Sequence, residues 1–237
     1  MIPKINSADY QCFPLGDSAI VLEFGREISV SINTRIRLIC EWLDEYTFEG
    51  FVDYVPAFTT ITVYYEPWVI NYDKLEEMLD EMISGIGEED EITARSPIEI
   101  PVLYGGHYGP DLDVVARQCQ LTTAEVIRIH HAAEYLVYMI GFAPGFPYLG
   151  GMDERIATPR KETPRALIPA GSVGIAGKQT GIYPIETPGG WQIIGQTPLQ
   201  LFNIDREVPA LLKAGDRIRF ISVTEQEFIQ IKKENGH

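Results

Sequence analysis

Between Tyr135 and Pro198 the chain carries 11 of its 21 glycines and 8 of its 16 prolines, and this stretch constrains the fold more than any other. Glycine admits backbone conformations closed to other residues, and proline fixes φ and removes a donor, so together they specify a loop path. A solvated spacer can share that composition. This stretch is instead interleaved with Phe142, Phe146, Tyr148, Ile168, Val173, Ile175, Ile182, Tyr183, Trp191, Ile193 and Ile194. Such a mixture predicts a packed β-rich body carrying shaped loops, the usual place for a binding or catalytic site.

At 237 residues the chain is long enough for one large domain or two small ones, and its 45% hydrophobic and 22% charged residues are those of a soluble globular protein. A formal net charge of -15 and a sequence pI near 4.6 argue against nucleic acid or an anionic membrane surface as partner. The acid is unevenly spread. Residues 41–91 hold fifteen Asp and Glu against Lys74 alone, whereas residues 135–200 hold four acids and five bases. An anionic small molecule is therefore best tolerated in the Gly/Pro-dense stretch. Cys12, Cys40 and Cys119 are odd in number and far apart, which predicts reduced, buried thiols. The opening MIPKINSADY has no apolar signal region, and no apolar run approaches the roughly 18 residues of a membrane span, so a cytoplasmic location is expected.

Along the chain, AIVLEF after Ser18 reads as a strand ending at Gly25, and Ile32, Ile36, Ile39, Cys40 and Leu43 predict a helix to about Tyr46, capped by Ser29 or Ser31. Phe51–Val55 and Thr59–Tyr65 read as strands, and Leu75, Met78, Leu79 and Met82 as a helix stopped by Gly85 and Gly87. Strand, helix, strand, strand, helix is most of a ferredoxin-like unit. The charged run Gly87–Pro97 marks a boundary. Beyond it, IEIPVLY predicts a strand, and Pro110 and Asp111 open a helix. Thr122 and Thr123 with Glu125 suggest a cap for a second helix reaching about Ala133, with the Glu one position early for the ideal box. After Tyr135 the pattern is that of a barrel or sandwich, closed by the strand RIRFISV and a terminal helix, Thr224 to Lys233.

Three familiar motifs are approximated and rejected. GSVGIAGKQT, Gly171 to Thr180, imitates a phosphate-binding P-loop, but its glycines are misspaced and Gln179 stands where a magnesium-ligating hydroxyl belongs. AGSVG around Ser172 imitates a nucleophile elbow, yet the only later histidine is His237. His107, His130 and His131 lack zinc-site spacing, and no metal is expected. His130 and His131 end a predicted helix, so one can face inward while the other meets solvent. His131, Tyr138 and Ser172 are the catalytic candidates. The substrate-binding candidates are Arg160, Arg165, Gln179, Thr180, Tyr183, Gln196 and Thr197. Arg160 and Arg165 end a repeated T-P-R and offer rigid forks for a carboxylate or phosphate; the alternative is surface pairing with Asp153, Glu154 or Glu162.

The wording of the stretch adds a resemblance. YLVYMIGFAPGFPYLGGMDERIATPRKETPRALIPAGSVGIAGKQTGIYPIETPGGWQIIGQTPLQLF, with upstream YGGHYGPDLDVVA and LGDSAIVLEFG, resembles the family that includes the B subunit of bacterial ATP-dependent 5-oxoprolinase, the kinase inhibitor KipI and the module called allophanate hydrolase subunit 1. The resemblance covers nearly the whole chain. It implies an α+β N-terminal ferredoxin-like domain over residues 1–92 and a mainly-β cyclophilin-like barrel over 93–237 with two helices at its start. It also implies work in a complex with a larger homologous barrel protein, the C subunit of 5-oxoprolinase, and with the A subunit. Together these open 5-oxoproline to glutamate at the expense of ATP, by phosphorylation of the lactam oxygen ahead of attack by water. ATP, and any magnesium with it, then enters at the level of the complex. Within this picture Arg160 or Arg165 is the carboxylate clamp and Gln179, Thr180 or Tyr183 meet the lactam. The KipI branch implies the other reading, an inhibitor that binds a sensor histidine kinase.

Overall fold

The computed structural model describes residues 10–27, 29–85 and 96–235, which divide into two compact units, residues 1–94 and 95–237. The expected boundary at residues 92/93 lies outside the described residues, as do Gly87 and most of the charged run after it.

The first unit contains β1 (Gln11–Pro14), β2 (Ala19–Glu23), α1 (Val30–Glu45), β3 (Phe51–Pro56), β4 (Thr60–Tyr65) and α2 (Tyr72–Gly85). The strands form one antiparallel sheet in the order β1-β2-β4-β3. Strand β4 shows why: in TITVYY, Ile61, Val63 and Tyr65 alternate onto a buried face. Helix α1 begins at Ser29, whose hydroxyl accepts from the Ile32 N–H at 3.2 Å, and buries Ile36, Ile39 and Leu43 as one stripe. Helix α2 begins where Asn71 Oδ1 accepts the Lys74 N–H at 2.9 Å and buries Leu75, Leu79, Met82 and Ile83. Strand β1 is the element the sequence pattern does not announce. It is short, ends in Pro14 and, among the described residues, pairs only along β2, as an edge strand with proline should.

The second unit runs β5 (Ile98–Tyr104), α3 (Leu112–Gln118), α4 (Thr123–Ala132), β6 (Glu134–Ile140), β7 (Pro147–Gly150), β8 (Arg165–Ile168), β9 (Ser172–Ala176), β10 (Gln179–Ile182), β11 (Thr187–Gly189), β12 (Gln192–Gln196), β13 (Arg217–Ser222) and α5 (Glu225–Glu234). Seven strands close a barrel in the order β10-β7-β6-β13-β5-β12-β9, while β8 and β11 pair separately. Barrel pairs are antiparallel except β13 with β5, the first and last strands of the unit, which run parallel. The barrel interior is filled by Ile100, Val102, Tyr135, Val137, Leu149, Val173, Ile175, Ile182, Ile194, Ile218 and Phe220, and α3 and α4 cover it with Val115, Val126 and Ile129. At about 1.5–3 kcal/mol for each large apolar side chain buried, this core is the main force holding the unit. Helix α4 carries a full capping box between Thr122 and Glu125. Thr122 itself is the cap, so Glu125 stands at the ideal third position and not one early. No helix among the described residues is long and apolar enough to cross a membrane.

Candidate functional site

Strand alternation in the Gly/Pro-dense stretch sorts its side chains into two sets. Val173, Ile175, Thr180, Ile182 and Leu149 point into the barrel; Gly174, Ala176, Gln179, Gly181 and Tyr148 point out. The outer set contains two glycines and an alanine. Their missing bulk leaves room for a second cluster, in which Phe146, Tyr183 and Trp191 meet edge to face at 5.3–6.4 Å. A Cβ on Gly181 would come within 3.0 Å of the Phe146 ring and 3.1 Å of Trp191, so a side chain there would press on both rings. Half-buried Tyr148 joins the cluster 4.9 Å from Phe146. Phe142 leads out of it: the ring is 66% exposed, 5.5 Å from Phe146, and its backbone is left-handed at φ 67. A bulky residue in that region is strained, and strain of this kind gathers at binding sites.

Thr158 to Lys161 is laid along this face and fastened on both flanks. Thr158 exchanges backbone hydrogen bonds with Gly177, at 3.2 and 2.7 Å. The Gln192 side-chain amide donates to the Pro159 carbonyl at 3.1 Å, and the Lys161 N–H donates to Gly190 at 2.7 Å. Asp111, 3% exposed, gathers the remaining charges. It accepts both terminal nitrogens of Arg165 at 2.7 Å, Lys161 Nζ at 3.3 Å and the Ile193 N–H at 2.7 Å. Burial alone would raise the Asp111 carboxyl, but the Arg165 and Ile193 hydrogen bonds and the nearby positive charges outweigh it and hold it below the usual range. Arg165 is thus engaged inside the fold, with a partner other than the surface acids that spacing had suggested. Lys178 pairs with Glu154 and Arg155 with Asp153. Arg160 is exposed and has no carboxylate partner among the described residues; its charge is felt at the phenols of Tyr148 and Tyr183.

The other candidates are scattered. Thr180 faces inward and is fully buried, accepting from the ring of His130 at 3.0 Å and donating to the Gly174 carbonyl at 3.0 Å. His130 accepts at Nδ1 from the Tyr104 hydroxyl at 2.8 Å, so the network fixes the Nε2–H tautomer. It is 0% exposed and stacked on Phe220, and burial, reinforced by neighbouring His131, pushes its pKa down to about 3. His131 is half-buried at the end of α4. Tyr138 is buried over Gly150, and burial raises its phenol. Ser172 is buried in β9, Tyr183 lies beneath Gly189, and Gln179 is half-buried on the outer face. Gln196 donates to the Ala170 carbonyl at 2.6 Å, and Thr197 accepts from the Leu199 N–H at 3.3 Å, so both side chains brace loops. GSVGIAGKQT is the hairpin of β9 and β10, turning at Gly177 and Lys178.

Residues 10–212 match the family model described as the carboxyltransferase domain, subdomain C and D. The chain belongs to this family. Among curated relatives, this carboxyltransferase-domain chain is 47% identical to the 5-oxoprolinase B subunit of Bacillus subtilis (strain 168), over 96% of its own length and 98% of that protein's. It is 43% identical to the 5-oxoprolinase B subunit of Escherichia coli O157:H7, over 89% and 95%. Among solved structures it resembles TTHA0988 with a TM-score of 0.78 and 35% identity, over 87% of this chain and 40% of that one. Three residues of this family member are absent from the sequence-based site candidates: Asp111, Gln192 and His130, the last weighed only as an imidazole at a helix end. Asp111 reads as a helix start, and only three-dimensional contact reveals its cations. Gln192, the single polar side chain in WQII, is the one visible signal among them.

Proposed function

We propose that this chain is the B subunit of an ATP-dependent 5-oxoprolinase, acting with the A and C subunits in the cytoplasm to open 5-oxoproline to L-glutamate. The reaction consumes two waters: one adds across the lactam C–N bond, and the other hydrolyses ATP to ADP and phosphate. What carries the reading is the match to curated 5-oxoprolinase B subunits along almost their whole length, 47% identical in the first case. The domain reading accompanies it. In the first unit, β2, α1, β3, β4 and α2 follow the ferredoxin-like order, with β1 in the place of the last strand. The second unit is taken as the cyclophilin-like barrel.

ATP is assigned to the assembled complex. The one phosphate-loop imitation in this chain is a β-hairpin whose Lys178 is paired with Glu154, an arrangement unlike the glycine-rich turn and helix start that cradle phosphates. We keep Arg160 and Gln179, which share the outer face, as substrate contacts. Thr180 and Arg165 are held by His130 and Asp111. The chain alone is expected to be inactive. The test is 5-oxoproline-dependent ADP release by the full set of subunits, with and without this chain: turnover only when it is present supports the reading, and equal turnover without it removes it.

A further inference from the structure

We infer that Arg160 is a preformed clamp for the carboxylate of a small ring-bearing substrate, and that Gln192 is the positioning residue that holds it. The inference rests on the reading of this chain as a substrate-handling part of a 5-oxoprolinase, and it assigns the carboxylate, not the nucleotide, to this face.

Between Tyr135 and Gln200 there are five basic side chains. Four are engaged: Arg155 with Asp153, Lys178 with Glu154, and Lys161 and Arg165 with Asp111. Arg160 has no such partner among the described residues and is exposed. A polyphosphate asks for several free donors in one place, whereas a single planar fork beside an aromatic wall suits one carboxylate with an apolar body. Tyr148, half-buried on the outer face of β7, supplies that wall.

A free arginine on a loose loop would lose much of its affinity to ordering. Here the backbone on either side is already fixed, by Gly177 at Thr158, by Gln192 at Pro159 and by Gly190 at Lys161. Preorganisation of that kind is what raises affinity for a small ligand. Gln192 stands out because the fold tolerates a fault to keep it. Its Nε2 holds Pro159, but its Oε1 is buried with no hydrogen-bond partner among the described residues, in a residue 4% exposed. An unpaired buried acceptor is unfavourable, and leucine of similar size would avoid it. Stability alone therefore does not account for a glutamine at this position, whereas holding the Arg160 backbone does.

The experiment uses the assembled complex and measures KM for 5-oxoproline and for ATP separately. Arg160→Ala should raise KM for 5-oxoproline about 10- to 100-fold, the loss expected for one charged hydrogen bond, with KM for ATP unchanged. Arg160→Lys, which keeps the charge but not the fork, should recover only part of that. Gln192→Leu should raise KM for 5-oxoproline several-fold while the melting temperature stays equal or rises. Pyrrolidin-2-one, the same lactam without the carboxylate, should inhibit the wild type and Arg160→Ala complexes equally. An active wild-type complex whose KM for 5-oxoproline is untouched by Arg160→Ala overturns the clamp. A rise in KM for ATP instead moves the fork to the nucleotide and overturns it as well. A Gln192→Leu chain that melts earlier but keeps its KM reduces Gln192 to a structural role. Absence of any 5-oxoproline-dependent ADP release by the wild-type complex is a different result, which removes the proposed function itself.

Discussion

Asp111 and His130 are two buried ionisable groups with opposite solutions. Asp111 remains charged because Arg165, Lys161 and the Ile193 N–H surround it. Asp111→Asn leaves two cations partly buried and uncompensated and should destabilise the chain by roughly 2–4 kcal/mol in denaturant unfolding at neutral pH. Because the folded carboxyl titrates below its ordinary value, its contribution is present above about pH 3.9 and is lost as pH falls through the lower folded value. The gap between wild type and variant should therefore narrow below about pH 4. His130 instead stays neutral, and its folded pKa of about 3 lies under the ordinary value near 6.5. Its stability is complete above about pH 6.5. Below that the unfolded chain takes up a proton that the folded chain refuses, and stability falls by on the order of 1 kcal/mol per pH unit down to about pH 3. Chemical unfolding between pH 6 and pH 4.5 should show this slope in the wild type and a slope smaller by about one proton in His130→Gln. Equal slopes would place the titration elsewhere. Neither residue's role is legible in the sequence. Sequence places His130 and His131 side by side at a helix end, and only the turn of α4 decides that His130 meets Thr180.

The elements are far more legible, because each depends on local patterns. The Ile36, Ile39 and Leu43 spacing of α1 and the alternation in β4 can be read directly, and the cap of α4 can be read except for its register, since either Thr122 or Thr123 could start the helix. The parallel pairing of β13 with β5 joins elements more than a hundred residues apart and has no local signature. Glycines divide in the same way. The turn before α3 depends on Gly109, where a Cβ would run into the Ile194 backbone carbonyl, and neither chain can withdraw without losing the Gly105 to Ile194 bond of 3.0 Å. Gly109→Ala should cost about 3 kcal/mol or more. By contrast Gly106, at φ 54, has open space around its missing Cβ, and Gly106→Ala should cost only about 1–2 kcal/mol of left-handed strain. Thermal melts of the two variants check this order directly.

For the molecule as a whole, the outer barrel face offers Arg160, a fork with no carboxylate partner among the described residues, and the half-buried ring of Tyr148. Most of the net charge of -15 is carried by residues 1–94 of the sequence, whereas residues 135–200 hold four acids and five bases. Under the proposed function this face takes the small anion, and the handling of ATP is assigned to the assembled complex. The Gly/Pro-dense stretch supplies the residues of this face, but its candidates mix interior Thr180 with exposed Arg160, because polarity alone does not tell which side of a strand a residue takes. The central claim, that this chain is an obligatory part of a lactam-opening complex, is tested most directly by ADP release. With the A and C subunits, 5-oxoproline and ATP, adding this chain should start stoichiometric release of ADP and glutamate, and this chain alone should release neither. Turnover at full rate by the other subunits without it would contradict the account.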